Sequence, residues 1–105
     1  MTKKYTITIG IPAYNEESNI CKLIRDVLGQ SRRTYILEKI IVSSDGSSDN
    51  TVSAVRTIRN KRVTVIENTD RKGIARGLNQ IIEQSDSDIL VTLDADIKIK
   101  DKHFI

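Results

Sequence analysis

The stretch Ile40-Ile41-Val42-Ser43-Ser44-Asp45-Gly46-Ser47-Ser48-Asp49-Asn50-Thr51 decides the fold. Three β-branched apolar residues read as a short buried strand, and they run directly into Ser, Asp and Gly, the residues of tight turns. Ser48 or Asp49 then caps a helix, on which Val52, Val55 and Ile58 fall three apart along one side. The same strand, turn and helix succession recurs on both sides. Upstream, Tyr5, Ile7, Ile9 and Ile11 alternate as in a strand over 5–11, and Gly10 and Pro12 punctuate its end, because proline donates nothing to a ladder. Ile20, Leu23, Ile24, Val27 and Leu28 form a helical stripe. Asn15 is its expected N-cap, Glu16 and Glu17 suit the positive end of its dipole, and Gly29 stops it. The segment 32–39 reads as a polar connection with an apolar patch at Tyr35-Ile36-Leu37.

Downstream, Val63 to Ile66 is a third strand and Asn68-Thr69-Asp70 a loop. A third helix carries Ile74, Leu78, Ile81 and Ile82 on one face, and a fourth strand, Ile89 to Leu93, ends on Asp94-Ala95-Asp96. The order βαβαβαβ predicts an α/β fold: a Rossmann-like, three-layer αβα arrangement around a mostly parallel four-stranded sheet.

Composition narrows the function classes. A chain of 105 residues, 38% hydrophobic and 30% charged, suits one domain over residues 1–105. No apolar run reaches the roughly 18–20 residues of a membrane span, and Met1-Thr2-Lys3-Lys4 leads into alternating residues rather than a signal peptide. Cys21 is the single cysteine, so no internal disulfide forms; it reads as a small core side chain, and a cytoplasmic, reducing compartment is expected. The net charge of +3 is scattered, apart from the pairs Arg32-Arg33 and Arg71-Lys72. With 4% aromatic residues and no Trp there is little to stack a nucleic acid, so none is expected as partner. A single phosphorylated ligand fits better.

In open parallel sheets, ligands bind at the carboxyl ends of the strands. Asp94 and Asp96, read as extended backbone, project to one side and address a single cation, with Ala95 keeping the space between them open. Carboxylates of this kind suit Mg²⁺ or Mn²⁺, although Asp-x-Asp also describes a solvated acidic turn. Asp45 reads either as a hydrogen-bond acceptor for a base or ribose or as an ordinary turn residue before Gly46. Tyr14 offers a rigid face for a planar base, and alternatively packs its own loop. Arg71, Lys72 and Arg76 are candidates to oppose a diphosphate, against a bland reading as a solvated helix start. His103 stands without a partner cluster and reads as a surface residue.

Together these segments resemble the nucleotide-sugar-binding, N-terminal half of a family 2 glycosyltransferase of the GT-A fold. Four motifs match in order: Ile11-Pro12-Ala13-Tyr14-Asn15-Glu16-Glu17, then Val42 through Thr51, then Arg71-Lys72-Gly73 with Leu78-Asn79, then Leu93-Asp94-Ala95-Asp96. The resemblance implies transfer of a sugar from a nucleotide-diphosphate donor, a UDP-sugar, to an acceptor hydroxyl. It implies that Pro12, Ala13 and Tyr14 flank the base and that Glu16 lies near the nucleotide. Asp45 is then a base contact, and Arg71 and Lys72 lie near base or phosphates. Asp94 contacts ribose or metal, Ala95 counts with the nucleotide-binding residues, and Asp96 ligates Mg²⁺ or Mn²⁺. It also implies strands 1 and 4 side by side, with strands 2 and 3 beyond strand 1. Where the family commonly carries two acids after strand 2, this chain has Ser44 and Asp45.

In the family the catalytic base follows the Asp-x-Asp motif, and with the sequence ending at Ile105 the base and acceptor site are expected to lie outside this chain. The acceptor (glycan, lipid carrier or other hydroxyl compound) and a membrane association of the whole protein stay open. Two other readings compete. A phosphoacceptor receiver domain shares the alternation but needs an acidic pair after strand 1 and an Asp directly ending strand 3. A module that holds a nucleotide sugar without turning it over shares the site.

Overall fold

The computed structural model describes residues 4–31 and 34–101; Arg32-Arg33, His103 and the first three residues, mentioned above, lie outside them. Seven elements follow in order: β1 (Tyr5–Ala13), α1 (Ile20–Leu28), β2 (Tyr35–Asp45), α2 (Thr51–Arg56), β3 (Val63–Asn68), α3 (Ile74–Gln84) and β4 (Ile89–Thr92). The strands are all parallel, in the order β3-β2-β1-β4. This is the expected α/β sheet, with β1 and β4 adjacent. A receiver-type domain places its third strand beside its first. Here β3 lies beyond β2, which removes that alternative on topology.

The layers follow from the alternation of β1. Ile7, Ile9, Ile11 and Ala13 point into one core with Ile20, Leu23, Ile24 and Val27 of α1, Val55 of α2, and Leu37, Ile40 and Val42 of β2. The opposite face of β1 carries α3, and its surface is small rather than oily. Ile81 sits directly on Gly10, where any added Cβ collides with the Ile81 side chain, and Gly77 sits over Ser43 and Pro12. Substituting Gly10→Ala is expected to cost about 1–3 kcal/mol by overpacking this seat, read as a lowered urea midpoint at unchanged m.

Three local readings are corrected. The supposed connection at 35–39 belongs to β2, which begins at Tyr35. Its alternation is broken by a bulge: Ile7 pairs with Leu37 and Thr8 with Lys39, which leaves Glu38 as the extra residue. Tyr35 and Leu37 therefore share a core with Ile40 and Val42 although the two pairs differ in parity. Strand β1 does not stop before Pro12 but runs through it, paired with Ser43. Gly10 accepts from the Leu93 N–H on the β4 side, so Pro12, two residues on, turns its missing donor to that same side. The β4 ladder has already ended there, at Thr92, so no bond is lost. Finally, the third helix buries only Gly77 and Ile81; Ile74 and Ile82 are exposed. Its buried contact with the sheet is confined to Gly77 over Ser43 and Pro12 and to Ile81 over Gly10.

Candidate functional site

The loops at the carboxyl ends of β1 and β2 are laced together. Asn15 is not a helix cap: α1 starts at Ile20, after a turn in which Asn19 and Ile20 N–H groups donate to the Glu16 carbonyl. Asn15 instead holds a left-handed backbone, φ 51°, and its side-chain oxygen accepts from the Ser48 N–H at 2.8 Å and the Asp49 N–H at 3.3 Å. In return the N–H groups of Asn15, Glu16 and Glu17 donate to Ser47 Oγ, Thr51 Oγ1 and Asp49 Oδ2. The Glu16 carboxylate accepts from the Asn19 side-chain amide at 3.0 Å and so closes its own turn. Ser44, which occupies the first acidic position of the family pattern, is fully buried and donates its hydroxyl to Ser47 Oγ at 2.8 Å. A carboxylate at that spot would be desolvated, whereas a hydroxyl feeds the lacing.

Asp45 anchors the third loop. Its Oδ1 accepts from the Lys72 N–H at 2.8 Å and its Oδ2 from the Gly73 N–H at 2.9 Å. Arg76 adds a 3.2 Å bond to Oδ1, and the Asp45 side chain is only 14% exposed. The Lys72 N–H above all, with Gly73 and Arg76, holds the Asp45 carboxyl below its ordinary range against the opposing effect of burial. Arg76 also pairs with Asp70 at 2.9 Å, and this bond lowers the Asp70 carboxyl and raises Arg76. Arg76 is therefore a brace between two acids, not a free cation for a diphosphate. Arg71 stands over the Tyr14 ring, 3.8 Å from its centroid, and covers one face of the aromatic expected to meet a base. Lys72 stays exposed, 3.7 Å from Asp70.

Asp94 and Asp96 are both exposed and make no side-chain bond among the described residues. They do not lie on extended backbone. The Ile97 N–H donates to the Asp94 carbonyl at 3.1 Å, so the motif is a turn just beyond β4. Ala95 is buried in the core, as is Ala13, so neither side chain is open to a ligand. Among the described residues no three His, Cys, Asp or Glu side chains cluster as a metal cage. Two unpaired carboxylates on a turn nonetheless fit a hard divalent ion, which completes its shell with waters and phosphate oxygens.

Residues 12–16, 45–49 and 71–73 thus form one contiguous rim, and β4 brings the acidic turn to the same end of the sheet beside β1. Strand order reverses there, between β1 and β4. Residues 8–104 match the family described as Glycosyl transferase family 2. The chain belongs to that family. It is 35% identical over 91 residues to the poly-beta-1,6-N-acetyl-D-glucosamine synthase of Staphylococcus aureus (strain COL), covering 86% of this chain and 21% of that protein. It is 33% identical over 92 residues to the Escherichia coli UDP-Glc:alpha-D-GlcNAc-diphosphoundecaprenol beta-1,3-glucosyltransferase WfgD, covering 88% of this chain and 35% of that protein. Among solved structures, the Pyrobaculum calidifontis mannosyltransferase PcManGT in complex with GDP-Man and Mn2+ superposes with a TM-score of 0.77 at 32% identity, over 90% of this chain and 28% of that one. The chain therefore spans about a fifth to a third of the length of these relatives, and the family 2 match covers the whole rim and the acidic turn.

Sequence reasoning named Tyr14, Asp45, Arg71 and Lys72, which the structure brings together. It missed Asn15 as a tie between loops. The Asn15 and Ser47 to Asp49 side chains carried a signal only as a pair of distant polar runs.

Proposed function

We propose that this chain is the donor- and metal-binding part of a glycosyltransferase that moves a sugar from a UDP-sugar to an acceptor hydroxyl with Mg²⁺ or Mn²⁺. The observation that carries the proposal is the acidic turn at the end of β4, next to the laced rim, at the sheet's reversal point. Relatives named for UDP-Glc and GDP-Man support the donor class.

The nucleotide lies across the rim. Tyr14 and Arg71 border the base, and Oδ2 of Asp45, which accepts one hydrogen bond and has the Arg71 guanidinium 4.0 Å away, offers its remaining acceptor site to a base N–H. Exposed Lys72 faces the phosphates as a point charge. Asp94 and Asp96 hold the divalent ion, which when bound supplies positive charge against the diphosphate.

Isothermal calorimetry with UDP-GlcNAc, UDP-Glc and GDP-Man, each with and without Mn²⁺, tests this reading. A UDP-sugar is expected to bind tightest and only with the metal, and Asp96→Ala is expected to weaken it about tenfold or more, a loss of roughly 1.4 kcal/mol. Equal affinity of the variant and the original chain would remove the metal role. No binding of any nucleotide sugar would remove the donor role.

A further inference from the structure

We infer that Asn15 is a positioning residue of the donor site: it sets Tyr14 beneath Arg71 by tying the β1 loop to the β2 loop. The inference rests on the nucleotide-binding reading for its ligand arm alone. Among the described residues Asn15 is the non-glycine residue with positive φ, and it directly follows Tyr14. A left-handed residue reverses the chain sharply, and asparagine tolerates that conformation better than most side chains. The reversal presents the Tyr14 ring to the loop that carries Arg71, where the two meet at 3.8 Å.

The side chain holds the reversal in place. Its oxygen accepts from two successive backbone N–H groups, Ser48 and Asp49, and from the Ser48 hydroxyl at 3.4 Å. These donors lie just past Asp45 and Gly46, which grip residues 70–73. A closed circuit results: Asn15 to the β2 loop, the β2 loop to the Arg71 loop, and Arg71 back to Tyr14. In every one of these side-chain contacts Asn15 acts as an acceptor. A carboxylate can therefore replace its amide, whereas alanine removes the acceptor and glycine removes the acceptor but keeps the backbone freedom.

The experiment compares Asn15→Asp, Asn15→Gly and Asn15→Ala with the original chain in three measurements. Amide hydrogen exchange at Ser48 and Asp49 and the nuclear Overhauser contact between the Arg71 side chain and the Tyr14 ring need no ligand. Titration with UDP and Mg²⁺ gives the affinity. Asp is expected to preserve all three. Gly and Ala are expected to speed exchange at Ser48 and Asp49 about tenfold or more, to lose the Arg71–Tyr14 contact, and to weaken UDP about tenfold, while exchange in the cores of β1 and β2 stays slow. Retention of the contact and of slow exchange in Gly, or failure of Asp to preserve them, would overturn the inference. If the original chain ignores UDP, the functional reading falls, and the two ligand-free measurements still decide the role of Asn15.

Discussion

Gly46→Val is expected to destabilise the fold by about 2–5 kcal/mol, the sum of a strained backbone and an overpacked contact. Gly46 sits at φ 67°, a conformation that a β-branched side chain rarely adopts. Any Cβ there would stand 2.6 Å from both the Arg71 nitrogen and the Asp70 carbonyl carbon. These are backbone atoms, so no side chain can rotate aside to make room. The 70–73 segment must move away, and with it go the bonds from Lys72 and Gly73 to Asp45. For a domain of this size the loss corresponds to a melting temperature lowered by roughly 10–25 °C. Circular dichroism melting checks it, and a shift of less than about 3 °C would mean the 70–73 loop does not rest on Gly46.

The second large effect is at Asp45. Asp45→Ala removes two charge-assisted bonds to backbone N–H groups and the Arg76 pair, an expected cost of about 2–4 kcal/mol at neutral pH. Asn is not expected to rescue it, because one of its two positions would turn an NH₂ toward an N–H donor. The sign of the pH dependence follows from the lowered Asp45 carboxyl. A group that binds its proton less readily when folded stabilises the fold above its unfolded pKa, and the benefit is lost as pH falls through the folded value. The stability gap between the original chain and Asp45→Ala should therefore be constant near neutrality and narrow below about pH 4. Urea unfolding at pH 7, 5, 4 and 3 measures it. A gap that widens toward acid would contradict the assignment.

Much of this site is legible before folding. The apolar runs and turn residues around Asp45, and the acids closing the fourth strand, fix the strand ends from local chemistry alone. The strand order also follows from the family resemblance. What stays hidden depends on register and on partners far away in the chain. The Glu38 bulge changes which parity of β2 faces the core, and no local pattern marks an extra residue. The role of Asn15 depends on Ser48 and Asp49, more than thirty residues away. Arg76 looks like a free cation at a helix start until Asp45 and Asp70 are seen to flank it. The apolar positions of α3 follow the helical period, yet of its isoleucines only Ile81 is buried, against Gly10, and Ile74 and Ile82 stay outside.

The central claim is that a divalent ion and a nucleotide sugar meet at the rim between β1 and β4. Paramagnetic Mn²⁺, added in traces to the isotopically labelled chain with UDP-GlcNAc, reads it directly through the distance-dependent broadening of amide signals. Broadening is expected to centre on Asp94 to Asp96 and to reach the Tyr14, Asp45 and Lys72 loops, and to disappear in Asp96→Ala. Broadening centred instead on the opposite end of the sheet, around Glu38, Asp86 and Asp88, would contradict it.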